Sequence, residues 1–162
     1  MKENAIIEKI RTIAGEVKIA MMTTLNENNR MRSRPMQVMQ VDDDAAMWFF
    51  TDEFAGKTDA LRTDNPVVLT FADRKNDLYL SLSGRTYLVK DEQKIASIWN
   101  PVLNTWFPGK EKTSLLMIKF VPEQAEYWSK AKSIWEKVFY AGKAIAAGDS
   151  YKDGQHDTVQ LN

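Results

Sequence analysis

A chain of 162 residues makes one domain with a substantial core, because a protein of this size hides roughly 70% of the surface its unfolded chain exposes. Its 22 basic and 22 acidic residues cancel, so the molecule lacks the overall positive field that gathers nucleic acid or an anionic membrane. With no cysteine and a single histidine, disulfides, thiolate metal sites, cysteine nucleophiles and histidine-cluster metal centres are excluded, and any redox chemistry must come from a cofactor.

The segment Met1 to Glu16 mixes charges with isolated apolar residues. It is read as neither a signal peptide nor a membrane span, and the expectation is a cytoplasmic protein. Ile6, Ile10, Ile13, Ala14 and Val17 recur at helical spacing, which predicts an opening amphipathic helix. Val17 to Leu25 is apolar and β-compatible and stops at the turn-forming run Asn26-Glu27-Asn28-Asn29, giving a strand and a turn. A second strand is expected over Met31 to Val41, with Arg32, Arg34, Met36, Val38 and Gln40 on one face and Ser33, Pro35, Gln37, Met39 and Val41 on the other. Asp42-Asp43-Asp44 turns the chain into an aromatic strand from Met47 to Thr51.

A helix is expected from Lys57 to Thr63, ended by Asn65-Pro66, with a strand from Val67 to Ala72. After a turn at Asn76-Asp77, Leu78, Leu80 and Leu82 alternate with Tyr79, Ser81 and Ser83 in the longest strand candidate, Leu78 to Val89, with a bend or bulge at Gly84. Asp91 is an N-cap for a helix through Ile95, Ile98 and Trp99 that ends near Pro101. Leu115 to Val121 reads as one strand and Ala125 to Trp128 as another, short one, with Pro122 between them. Lys130 to Ala147 has helical composition, and the polar terminal segment is expected either to be loose or to fold back on a partner, with His156 read as a solvated residue. The fold expectation is therefore mainly β with flanking helices, a closed or nearly closed barrel in one domain over 1–162 with a helical extension from about 130. Neither G-x-G-x-x-G nor G-x-x-x-x-G-K-[ST] occurs, so any phosphate must be held by another arrangement.

Three groups of residues bear on chemistry. Arg32-Ser33-Arg34-Pro35-Met36 places two guanidinium groups on one strand face, either to meet an anion such as phosphate or as solvated charges on an edge strand. Trp48-Phe49-Phe50-Thr51-Asp52 leads through Gly56-Lys57-Thr58 into the expected helix, where backbone N–H groups, the Thr51 hydroxyl and the Lys57 ammonium are suited to an anion. Trp99-Asn100-Pro101, Trp106-Phe107-Pro108-Gly109 and Glu126-Tyr127-Trp128 concentrate aromatic groups in the second half, for a core, an interface or the cover of a ligand.

Arg34-Pro35-Met36, Trp48-Phe49-Phe50-Thr51-Asp52, Lys57, Ser83-Gly84, Trp106-Phe107-Pro108-Gly109 and Glu126-Tyr127-Trp128 occur in an order and at separations that resemble the general stress protein 26 branch of the pyridoxamine 5′-phosphate oxidase-like, FMN-binding split-barrel family. The resemblance runs to about Trp128 and is only general beyond Ser129. It implies an FMN-binding split β-barrel and a homodimer with two flavins in clefts between subunits. On that resemblance Arg34 and Lys57 neutralise the FMN phosphate and Thr51 donates a hydroxyl to it. The backbone around Pro35, Met36, Phe49 and Phe50 follows the ribityl chain and isoalloxazine, while Trp106 and Phe107 reach over from the other subunit or close the cleft.

The chain departs from the family at Ala55 and Gly56, where a serine or arginine is common near the lysine, and in the loop Lys110-Glu111-Lys112-Thr113-Ser114. It also lacks the arginine-and-histidine signature near the carboxy terminus, so pyridoxamine phosphate oxidation is not expected. No catalytic acid or base is identified. The expected function is that of a flavin-dependent oxidoreductase of the general-stress type acting on a small molecule. The alternatives are a non-enzymatic flavin store or sensor, the same fold using FAD or a deazaflavin, and a cofactor-free barrel.

Overall fold

In the computed structural model, which describes residues 3–52, 66–108, 115–129 and 155–161, the amino-terminal apolar period forms helix α1 (Glu3–Val17). Ile6, Ile10 and Ala14 are fully buried and Ile13 nearly so. Burial of an isoleucine side chain stabilises the fold by roughly 1.5–3 kcal/mol, so this stripe fixes the helix to the sheet. Lys18, with φ 60°, stops the helix. Its N–H still reaches the Ala14 carbonyl at 3.1 Å, and the chain turns at once into β1 (Ile19–Leu25).

The remaining elements are β2 (Met31–Gln37), β3 (Gln40–Val41), β4 (Met47–Asp52), β5 (Pro66–Asp73), β6 (Leu78–Val89), α2 (Glu92–Ile98), α3 (Leu103–Trp106), β7 (Leu115–Ser129) and β8 (Gln155–Gln160). All described strand pairs are antiparallel, in the order β2-β1-β5-β6-β7-β4-β3, with β8 beside β7. The two ends of that order are neighbours in sequence. The expected strand from Met31 to Val41 breaks at Val38 and Met39, where Val38 N–H donates to Lys18 and Met39 N–H donates to Trp48, both at 2.8 Å. One run of chain thus leaves the β1 side and joins the β4 side, curling the sheet into a split barrel.

Residues on the inner face form the main core: Ala20 and Met22, Met47 and Phe49, Val67, Leu69 and Phe71, Leu80 and Leu82, Ile118 and Phe120, with α1 across one end. Lys9 of α1 sets its ammonium 3.8 Å from the centre of the buried Tyr127 ring. A second core lies on the outer face of β4 and β7, where Trp48, Phe50, Leu115 and Met117 meet Ile95 and Ile98 of α2 and Leu103 of α3. Strand β4 is buried on both faces. Its run of aromatic residues without polar alternation is the sequence trace of that position. Asp91 caps α2 as expected, accepting from the Gln93 and Lys94 N–H groups at 3.0 Å each.

Two expectations are corrected. Leu115 to Ser129 is a single strand because Pro122 stands where its missing N–H leaves no gap in a ladder. On one side of β7, β4 pairs only as far as Phe120 and β8 begins at Gln124; on the other, Pro122 faces Gly84 at the register shift between Ser83 and Gly84. Of the two expectations for the carboxy-terminal segment, the loose tail is overturned over Gln155–Gln160, which folds back as β8 with His156 opposite Trp128. The helices expected at Lys57–Thr63 and Lys130–Ala147 lie outside the described residues.

Trp48 anchors a polar group at the edge of the outer core. Its indole N–H donates to the Asp42 carboxylate at 2.8 Å, Gln40 donates to the same carboxylate at 2.6 Å, and the Lys94 and Lys119 ammonium groups lie 4.8 and 5.5 Å from the Trp48 ring centre. Burial alone would raise the Asp42 carboxyl, but the two donors and the two lysine charges outweigh it and hold it below the ordinary carboxylate range. Asp73, at the β5–β6 turn, is also held low, by hydrogen bonds from Asn76 and Lys75 and the Lys75 charge. A carboxyl depressed in the folded state contributes stability above its unfolded value, near 4, and loses it as pH falls through the folded value. Asp42→Asn is expected to lower stability by about 1 kcal/mol at pH 7. It should also flatten the loss of stability on acidification below about pH 4, leaving Asp73 to supply part of the slope; urea titrations across pH check both.

Candidate functional site

Strand β1 runs away from α1 and β2 returns beside it, and towards the end far from α1 the directly opposite pairs Met22–Arg34 and Thr24–Arg32 share the inner face of the sheet. Arg34 is half-buried, and its Nη2 donates to the Thr24 hydroxyl at 3.0 Å. Thr24 is itself only 2% exposed. Among the described residues no carboxylate lies within ion-pair distance of Arg34. Burial, and secondarily the charge of Arg32, lower its guanidinium below the ordinary arginine value. Among the described residues this cation, desolvated by its surroundings and repelled by a neighbour, meets a neutral hydroxyl, an arrangement chemically suited to an anion.

Thr24 is also paired with Val67 of β5. Strand β5 therefore begins, at Pro66, beside the Arg34 site. Lys57 belongs to the connection from β4 to β5 and lies outside the described residues, as do Ala55 and Gly56. Thr51 is buried on the inner face of β4, in the alternation of Met47 and Phe49, and β4 touches β2. The expected phosphate residues Arg34 and Thr51 are thus carried on two strands in contact.

The other expected site residues divide clearly. Met36 is half-buried against the main core, and Pro35 is exposed on β2, which is the end strand of the ladder order. The rings of Phe49 and Phe50 belong to different cores, and the two residues are 0% and 5% exposed. Phe50 makes an edge-on contact with Trp99, with ring centres 6.1 Å apart. Trp106 ends the single turn of α3 instead of lying in an open loop, and Phe107 packs on the outer core beside Trp48 and Phe50. Thr24 was not singled out from sequence; a threonine pair at the end of an apolar strand was the only signal.

An open groove of about 360 Å³ beside α1, lined by Glu8, Lys9, Glu16 and Asp73 among others, lies at the opposite end of β5 from the Arg34 site. Its opposed charges do not select an anion. No group of three metal-ligating side chains occurs among the described residues, and none of their helices is long and apolar enough to cross a membrane.

A sequence model for the family described as pyridoxamine 5′-phosphate oxidase like matches residues 5–152. The chain belongs to that family. Protein bli-3 of Neurospora crassa is 26% identical over 144 residues, a match covering 81% of this chain and 68% of that protein. Among solved structures, a candidate general stress protein 26 of Jannaschia sp. CCS1 superposes with a TM-score of 0.72 at 21% identity, covering 96% of this chain and 98% of the other. The general stress FMN/FAD binding protein of Xanthomonas citri gives 0.64 at 24% identity, covering 79% and 90%. These likenesses show that this pyridoxamine 5′-phosphate oxidase-like chain has the fold of the general stress proteins. The family match also extends past Ser129, where the resemblance read from sequence is only general.

Proposed function

We propose that the chain binds FMN, with Arg34 and Lys57 neutralising the phosphate and Thr51 donating its hydroxyl to it. The observation that carries this reading is the half-buried Arg34 guanidinium, which has a neutral hydroxyl as its hydrogen-bond partner and a like charge beside it. The family match and the likeness to a protein that binds FMN/FAD support a flavin as the bearer of that phosphate. The backbone of Pro35, Met36, Phe49 and Phe50 runs along the ribityl chain and ring, and Trp106 and Phe107 close the cleft. Phe107 is suited to closing a cleft because its own chain's outer core holds it in place.

The functional unit in this reading is a cytoplasmic homodimer with flavins between subunits. Support comes from the outer face of the barrel, where Ile19, Met21, Tyr79 and Trp128 are each at least 36% exposed, an apolar surface of the kind that a second subunit covers. FMN, when bound, supplies hydride and electron transfer, and the protein sets its orientation and exclusion from water. The part this reading gives the described residues at Arg34 is binding and positioning. The reaction class is flavin-dependent oxidation and reduction of a small molecule.

Steady-state oxidation of NADH or NADPH by the FMN-loaded protein, with a quinone or ferricyanide as acceptor, tests the enzymatic part. Turnover above that of free FMN is expected. Retained FMN without such turnover would reject the oxidoreductase in favour of a flavin store or sensor.

A further inference from the structure

Thr86 lies on β6 in the alternation of Leu80, Leu82 and Gly84, on the inner face of the sheet, and is 2% exposed. Its hydroxyl is buried and finds no hydrogen-bond partner among the described residues. Thr24, equally buried, is engaged by Arg34. A hydroxyl taken out of water without a partner forfeits the hydrogen bonds it made there, and native interiors seldom leave such a group unmet. Phe120 stands directly opposite Thr86, but its ring leans towards Gly84, with Cζ 3.0 Å from the place a Cβ would take there. The glycine thus draws the ring away from the Thr86 rung. On the other side of β6, the pairs with β5 stop at Pro66–Arg85, one residue short of Thr86. The inner face beside the hydroxyl is therefore filled by neither that ring nor a paired β5 residue. Two residues away the β6–β7 ladder shifts register between Ser83 and Gly84, and a bulge leaves backbone groups without strand partners. An unmet hydroxyl, room beside it and interrupted backbone pairing close by are what an internal water requires, since it makes two to four hydrogen bonds to otherwise unsatisfied groups.

We propose that Thr86 holds one water molecule inside the barrel, and that this water joins the Thr86 hydroxyl to the backbone of the bulge at Gly84 and Pro122. Pro122 has no N–H to offer, so the water's donors go to backbone carbonyls of the bulge and its oxygen takes the Thr86 proton. The water then acts as a structural ligand that completes the bulge from the interior. The site stands apart from the flavin reading, and neither depends on the other.

High-resolution crystal structures of the full chain and of Thr86→Val, with thermal melts of both, test it. The wild type should show one water at about 2.5–3.0 Å from the Thr86 Oγ1, and the variant should lose it. Valine keeps the shape of the side chain and removes the hydroxyl, so the Tm of Thr86→Val should fall by about 2–4 °C as the bulge backbone loses its bridge. The wild-type structure decides the matter even where the variant does not fold. The proposal is overturned if no water stands at Thr86 in the wild type, or if a protein group meets the hydroxyl instead. It is equally overturned if the water persists undiminished in Thr86→Val, or if the variant melts at or above the wild-type temperature, the sign of a hydroxyl buried with no partner at all. None of these outcomes bears on whether the chain retains FMN.

Discussion

Arg34→Ala is expected to lower the affinity for FMN about 10- to 100-fold, since it removes a charge-assisted contact worth roughly 1.5–3 kcal/mol. Lys57→Ala should fall in the same range, and Lys130→Ala should leave affinity unchanged. The Arg34 variant should also fold normally. Removing a half-buried guanidinium relieves its desolvation and its repulsion by Arg32, while the Thr24 hydroxyl loses its donor. These terms oppose each other, and the stability of the flavin-free protein should stay within about 1 kcal/mol of wild type. Calorimetric titration with FMN, set beside a urea melt of the same sample, separates the two effects. Equal FMN affinity in Arg34→Ala and Lys130→Ala would remove the phosphate site from β2.

Gly84→Ala is expected to be the most damaging small substitution in the barrel. A Cβ at Gly84 would stand 2.1 Å from the Val121 carbonyl oxygen and 2.9 Å from the Pro122 Cα. Both are backbone atoms, so no side-chain rotation relieves the clash; the bulge that joins β6 to β7 must move, and the interior packing must move with it. A loss of about 3 kcal/mol or more is expected, seen as a fall in Tm on the order of 6–12 °C. Gly15→Ala is the matching control, because a Cβ there meets nothing within 4 Å and the position is an exposed helical one. It should raise stability by roughly 0.5–1 kcal/mol. The two substitutions add the same methyl group with opposite signs, so thermal melts of both decide whether the bulge is as tight as described.

Gly84 also shows what was legible in the sequence. Period-2 alternation in β6 interrupted by one glycine marked the bulge correctly, because an unoccupied Cβ inside a strand signals a close backbone approach. Pro122 was misleading. As a local signal it ends a strand, and only the arrangement of three neighbouring strands shows that its missing N–H falls opposite a bulge and between the ladders of β4 and β8. The kink at Val38 and Met39 was hidden for a related reason: alternation runs on through it, while the pairing partner changes from β1 to β4. β8 was missed because a polar edge strand has no apolar face to announce it.

At the site, Arg34 and Thr51 stood out as polar groups on strands otherwise suited to packing, and the structure puts those strands in contact. The same reasoning did not tell ligand contacts from core residues among the aromatics. Phe49 and Phe50 are adjacent and equally apolar, yet each is consumed by a different core, a division set by the two-sided burial of β4. Thr24 was missed because its importance lies diagonally across the ladder from Arg34, and the two strands are joined by a turn whose register one sequence does not state.

The most direct test is an absorption spectrum of the purified chain after incubation with FMN and removal of free flavin, with flavin counted per subunit. About one FMN per chain, with its visible band displaced from that of free FMN, is the expected result. A colourless protein, with no FMN retained, would contradict the assignment of the Arg34 end of the barrel as a flavin-phosphate site.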